Sequence, residues 1–101
     1  MSLRQWTNTW NRNYYPYGQL KGEIYYKHDI ITLERYYYEN GQLENEVPYS
    51  NGKIHGVEKE WDENGKLLHC TYWWKGQQIS KERWKKISRL EKLISGIAEI
   101  E

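Results

Sequence analysis

The sequence predicts a mainly β protein, in which antiparallel β-hairpin repeats stack into one twisted sheet followed by a single C-terminal amphipathic helix. Three observations carry that expectation. A short phrase recurs as Tyr17-Gly18-Gln19-Leu20, Asn40-Gly41-Gln42-Leu43 and Asn64-Gly65-Lys66-Leu67, at intervals of 23 and 24 residues. A second turn signal lies midway through each copy, at Lys27-His28-Asp29, Ser50-Asn51-Gly52 and Trp74-Lys75-Gly76. After Ser80 the apolar period changes from two to three and four. Asn-Gly suits a two-residue hairpin turn because both residues tolerate positive φ. Two turns per period therefore mean one hairpin per repeat.

The elements follow in order. Residues 6–15 read as the return strand of a degenerate leading repeat, with Tyr14 in the slot of Tyr37 and Trp61 and Trp10 near that of Leu33 and Val57. Pro16-Tyr17-Gly18 is its turn. Strands are expected over 19–26, 31–38, 42–49, 53–61 and 66–73, with a short one from 77. The second copy holds one extra residue near His55-Gly56, which reads as a β-bulge. Pro48 has no amide donor and must sit where the ladder needs none. From Ser80, a plausible N-cap, Trp84, Ile87, Leu90, Leu93, Ile94 and Ile97 make an apolar helical stripe, with Gly96 suggesting a frayed end. Trp84 also falls one period after Trp61, so a last strand persisting to Trp84 is the alternative. The stripe needs a cover: this molecule's sheet, or a second copy of the helix. The chain thus divides into a repeat sheet over 1–79 (repeats about 14–36, 37–60 and 61–79) and a capping or dimerisation helix over 80–101.

Composition narrows the class. The chain of 101 residues has ten Tyr and six Trp but no Phe. Tyr and Trp carry a polar atom that seeks a partner, so they suit surfaces that are apolar and wet together. A thin sheet with a partly covered aromatic ladder is expected, its small core favouring self-association, most simply a homodimer. Net charge is +1, but residues 34–63 hold eight acids against three bases, a net −5, and 81–92 hold six bases against two acids, a net +4. That asymmetry marks either an acidic binding face with a basic tail, or a solvated sheet and helix. The lone Cys70 allows no internal disulfide and points to a reducing compartment. No apolar run is long enough for a membrane span and the first residues lack an apolar signal core, so a cytoplasmic location is expected.

Three segments carry a family likeness. Tyr36-Tyr37-Tyr38-Glu39-Asn40-Gly41-Gln42-Leu43, Tyr49-Ser50-Asn51-Gly52-Lys53-Ile54-His55-Gly56 and Glu60-Trp61-Asp62-Glu63-Asn64-Gly65-Lys66-Leu67 resemble the bacterial MORN-repeat variant. Its pattern runs aromatic-x-Glu-Asn-Gly-Lys-Leu, then Tyr-x-Asn-Gly-Lys-x-His-Gly. The likeness is strong over 36–76, weaker over 14–35, where His28-Asp29 replaces Asn-Gly, and absent from 80–101. It implies stacked β-hairpins. Bacterial families of this kind are often labelled antitoxins and eukaryotic relatives are scaffolds, which implies a protein partner such as a toxin.

The residues offer little for catalysis. His69 and Cys70 are neighbours on a strand and point to opposite faces, so they cannot pair as nucleophile and base. No ligand spacing for a structural zinc occurs, and no glycine-rich loop leads from a strand into a helix. No enzyme activity, metal or cofactor is expected. The expected role is a protein-interaction module, antitoxin-like or immunity-like as the resemblance implies, using an aromatic ladder with Tyr25, Tyr36, Tyr38 and Tyr72 on one face and Tyr26, Tyr37, Tyr49, Trp61 and Trp73 on the other. Glu44, Glu46, Glu58 and Glu60 would gather beside it for a basic partner. Trp84, Ile87, Leu90, Ile94 and Ile97 would pack the helix or form a dimer. A nucleic-acid-binding protein using exposed aromatics and the basic helix is the alternative, although the acidic strands would repel phosphate.

Overall fold

The computed structural model describes residues 8–100, the side chains of 97–100 excepted. The expected strand start at Trp6 and the packing role of the Ile97 side chain lie outside the described residues. Eight strands run β1 (Thr9–Tyr14), β2 (Leu20–Lys27), β3 (Ile30–Tyr37), β4 (Leu43–Ser50), β5 (Lys53–Ile54), β6 (Gly56–Trp61), β7 (Leu67–Trp74) and β8 (Gln77–Ile79), and α1 spans Lys81–Ile100. They form one antiparallel sheet in the order β1-β2-β3-β4-β6-β7-β8, with β5 pairing β4. The leading strand is present, and Tyr14, Tyr37 and Trp61 sit opposite Leu20, Leu43 and Leu67. The sheet is one layer thick, and Val47 is the single buried apolar side chain among the described residues.

All six turns fall where the repeat signals place them, but they are of two kinds. At His28-Asp29, Asn51-Gly52 and Lys75-Gly76 both residues have positive φ, the two-residue turn expected from sequence. His28-Asp29 adopts it without a glycine. At the other end of the hairpins only Gly18, Gly41 and Gly65 are left-handed. There Tyr38 N–H donates to Gln42 C=O (2.9 Å) and Gly41 N–H to Tyr38 C=O (3.0 Å), which closes a longer loop. The two-residue turns expected at 40–41 and 64–65 are therefore corrected. Asn40 and Asp62 accept loop amides with their side chains and hold the wider geometry.

The predicted bulge at His55 parts β5 from β6, and His55 N–H donates to Pro48 C=O across 3.0 Å. Four further shifts, unseen in the sequence, fall at Asn13/Tyr14, Tyr36/Tyr37, Glu60/Trp61 and Tyr25/Tyr26, and the last leaves Thr32 with no opposite residue. This one turns Leu33 and the rest of β3 over relative to Ile31. Faces assigned by counting even steps from Ile31 are consequently wrong beyond this point.

Ser80 caps α1 as expected: its Oγ accepts Arg83 N–H (3.1 Å) and its C=O accepts Trp84 N–H (2.9 Å). Trp84 lies in the helix, not in a prolonged strand, and the helix runs through Gly96 without ending there. Among the described residues no helix is long and apolar enough to cross a membrane.

Candidate functional site

Strand pairing sorts the side chains onto two sides, because directly opposite residues share a face and neighbours alternate. The side that receives α1 carries Trp10, Tyr25, Leu33 and Pro48 in one row, with Trp10 and Tyr25 rings 4.7 Å apart. Beside it runs a charged row. Arg12 Nε donates to Glu23 (3.0 Å) and Arg35 Nε to Glu46 (2.8 Å), the same contact one repeat apart. Glu23 is buried, and the Tyr37 hydroxyl completes its shell at 2.8 Å. The hydrogen bond that Arg35 donates to Glu46 raises Arg35 above the ordinary guanidinium pKa. In the third repeat the pair is Lys59 opposite Cys70, so the row of ion pairs stops.

The open side is organised by acids that accept from aromatic donors. Glu34 accepts the Tyr49 and Tyr36 hydroxyls, each at 2.6 Å. Glu58 accepts Trp73 Nε1 at 2.9 Å and Asn45 Nδ2 at 3.4 Å. The Tyr36 ring lies over Gly22, where a Cβ would stand 3.0 Å from its Cδ1, so the missing side chain of β2 makes room for the ring. Its phenol is pushed up to about 12, first by donation to Glu34 and then by lost solvation and the same negative charge.

Between these fixtures lies an open hollow of about 540 Å³ across β3, β4, β6 and β7. Tyr36, Tyr38 and Leu68 supply its apolar surface, Trp61 borders it, and Glu44, Glu58 and Glu60 supply its charge. A second hollow of about 480 Å³ continues along the loop edge with Tyr15, Glu39 and Glu63, sharing Tyr38 and Glu44. Among the described residues, no base forms an ion pair with Glu44, Glu58 or Glu60; the ion pairs present involve Glu23 and Glu46. The Tyr38 phenol registers the resulting field. It is raised by lost solvation and then by Glu44, Glu63, Asp62 and Glu60. Repeat-to-repeat ties hold the rim: Tyr15 Oη donates to Tyr37 C=O (2.7 Å), and Tyr38 Oη to Trp61 C=O (2.8 Å).

Five of the expected partner-binding residues, Tyr36, Tyr38, Glu44, Glu58 and Glu60, thus meet in one place. Three do not. Tyr25 stacks on Trp10, Tyr72 faces Trp84 at 6.5 Å, and Glu46 is held by Arg35, all on the helix side. The aromatic faces are corrected accordingly. Tyr25, Tyr37, Trp61 and Tyr72 share the helix side, and Tyr26, Tyr36, Tyr49 and Trp73 the open side, because the shift at Thr32 and those further along the sheet break simple alternation. Leu68 was missed. It stands at the register shift between Glu60 and Trp61, which simple alternation does not reveal.

The helix is fastened by its first turns. The Trp84 ring meets Trp74 (6.1 Å), Tyr72 and His55 (6.0 Å), while His55 Nδ1 accepts Lys75 N–H at 3.0 Å. Ile87 is half-buried, but Leu90, Leu93 and Ile94 are 58%, 58% and 67% exposed. The expected stripe splits in two. Trp84, Ile87, Ser88 and Glu91 form the sheet-side face, and Leu90, Leu93 and Ile94 belong to another.

The arrangement presents carboxylates and π-faces, which suit a cationic, partly apolar guest. His69 and Cys70 stand on opposite sides of β7, and no group of three or more His, Cys, Asp or Glu among the described residues could hold a metal ion. No curated protein and no solved structure matches the chain. The MORN repeat variant family matches it three times in succession, over residues 11–28, 32–51 and 54–75. Each match frames two strands around a Gly18, Gly41 or Gly65 loop, and together they cover more than half of the chain: the protein belongs to the MORN repeat variant family.

Proposed function

We propose that this protein is a non-enzymatic interaction module whose open sheet face binds a basic, amphipathic segment of a partner protein. Repeats of this family are interaction modules, and a sheet of stacked hairpins presents a broad surface rather than an enclosed pocket. One observation carries the reading: Glu44, Glu58 and Glu60 converge beside Tyr36, Tyr38 and Leu68 with no base of the described residues to neutralise them. Carboxylates in such a place steer a cationic partner, and Tyr and Trp are favoured anchors for it. A basic toxin held by an antitoxin-like or immunity-like protein is the partnership that the family resemblance suggests. The half-buried free thiol of Cys70 suits a reducing, cytoplasmic setting.

The test is titration of a synthetic Lys/Leu amphipathic peptide into the full chain, alongside single-stranded and duplex oligonucleotides over a salt series. Peptide binding is expected, weakened at least about tenfold by Glu44→Lys with Glu60→Lys. Oligonucleotide binding that falls steeply with salt and strengthens in that variant would replace the reading with nucleic-acid recognition.

A further inference from the structure

We propose that the acidic hollow is occupied by helix α1 of a second copy of this chain, each copy lending its helix to the other. This rests on the reading of the hollow as a site for basic, partly apolar segments. Along one line of α1, stepping three and four residues, lie Arg83, Lys86, Leu90, Leu93 and Ile94, all exposed. Sheet contacts use the other line, through Trp84 and Ile87. The free line is basic at its start and apolar at its end. The hollow offers the complement, acids at Glu44 and Glu60 with Tyr36, Tyr38 and Leu68 beside them.

The dimensions agree. Residues 83–94 of a helix extend about 17 Å at 1.5 Å per residue. A hollow crossing four strands spans three gaps, about 14 Å at the usual strand spacing. Within one chain the two surfaces do not meet: no ion pair among the described residues joins a base of α1 to an acid of the sheet. A simple pair of helices fits less well. Parallel packing would abut the Arg83 and Lys86 rows, and antiparallel packing would set those cations against the partner's Leu90, Leu93 and Ile94. Reciprocal exchange closes as a two-fold dimer and buries two such contacts. It also makes self-association compete with capture of any other basic segment.

The experiment is sedimentation velocity on the full chain at high micromolar concentration, at low and high salt, with the Lys/Leu peptide titrated in parallel. The unaltered chain is expected at twice its 12.4 kDa mass, shifting toward monomer with salt. Glu44→Lys with Glu60→Lys, and separately Arg83→Glu with Lys86→Glu, should each weaken self-association at least about tenfold. Mixing the two variants should restore a mixed dimer, because each then offers what the other needs. Circular dichroism checks that each variant keeps its fold. Monomer throughout, with the peptide still bound, overturns this proposal and leaves the basic-partner reading standing. Monomer with no peptide bound overturns both. A dimer that resists both charge reversals but is lost in Leu90→Asp with Ile94→Asp assigns the contact to helix pairing and overturns it too.

Discussion

The indole N–H of Trp73 donates to Glu58 Oε1 across 2.9 Å, and one repeat earlier the Tyr49 hydroxyl donates to Glu34 Oε1 across 2.6 Å. In both pairs the donor follows the acceptor by 15 residues, so the repeat preserves a relationship while changing the residue that makes it. The pairing explains why this sheet uses Tyr and Trp where Phe would fill the same space. Each ring covers apolar surface and its polar atom satisfies a half-buried carboxylate. Trp73→Phe and Tyr49→Phe keep most of the ring and delete the donor. Each is expected to lower unfolding stability by about 1–2 kcal/mol, read as a shift in the guanidinium midpoint at unchanged slope. An unshifted midpoint in both would show that these contacts do not hold the open face.

The same acids give the fold an alkaline limit. Tyr36 is raised from 10.0 to about 12 by its hydrogen bond to Glu34, and Tyr49 is raised by lost solvation and by Glu34. A phenol whose folded pKa exceeds its unfolded value stabilises the fold fully below the unfolded pKa, and the benefit is lost as pH rises through the folded one. Stability is therefore expected to hold up to about pH 10 and to decline towards about pH 12. Phenolate absorbance should show Tyr36 and Tyr49 among the late-titrating tyrosines, and Glu34→Gln should return these two towards ordinary behaviour. Early titration of all ten tyrosines in the native protein would contradict the hydrogen-bond assignment.

Two glycines should respond to alanine with opposite sign. Gly56, at the bulge, has φ 122°, and an added Cβ would stand 2.9 Å from Pro48 Cγ. Gly56→Ala is expected to cost about 2 kcal/mol, from backbone strain and displacement of the Pro48 ring. Gly96 lies within α1 and an added Cβ meets nothing within 4 Å. There alanine removes backbone freedom from the unfolded chain and should stabilise the helix by about 0.5–1 kcal/mol. Thermal unfolding of the two variants checks both signs.

Turn chemistry carried most of the fold in the sequence, because Asn51-Gly52 and the Gly41 and Gly65 loops constrain the backbone locally. The extra residue at His55-Gly56 was legible for the same reason: it broke a count. Thr32 broke no count, since its bulge is compensated within an unchanged repeat length, and so the parity of β3 was misread. That shift moved Tyr25 away from Tyr36, and a separate one opposite Tyr36 and Tyr37, where Glu44 has no partner, left Glu46 on the far side from Glu44. The hollow was visible as an acidic and aromatic composition, but its membership depends on register, and register is a property of paired strands. The coverage of α1 was equally hidden. Periodicity identifies an apolar stripe without saying how much of it the sheet can reach.

His55 shows how the first turns of the helix are fixed, and the last prediction concerns it. Its ring lies 4.5 Å from Trp74 and 6.0 Å from Trp84, while its Nδ1 accepts Lys75 N–H from the neighbouring hairpin turn. The bulge residue of the second repeat thus joins the third repeat to the helix. A helix of 20 residues is marginal in water without tertiary packing. Trp84→Ala should therefore cost about 2 kcal/mol and strip much of the helical circular dichroism, while the strand signal persists. His55→Ala removes one ring and one acceptor but leaves Trp84 against Trp74 and Tyr72, so it should loosen the helix less, by about 1 kcal/mol. If Trp84→Ala retains full helicity as a monomer, the helix is held by its own propensity and the aromatic cluster is not its anchor. Retention only in the self-associated state would instead place the anchor in the second copy.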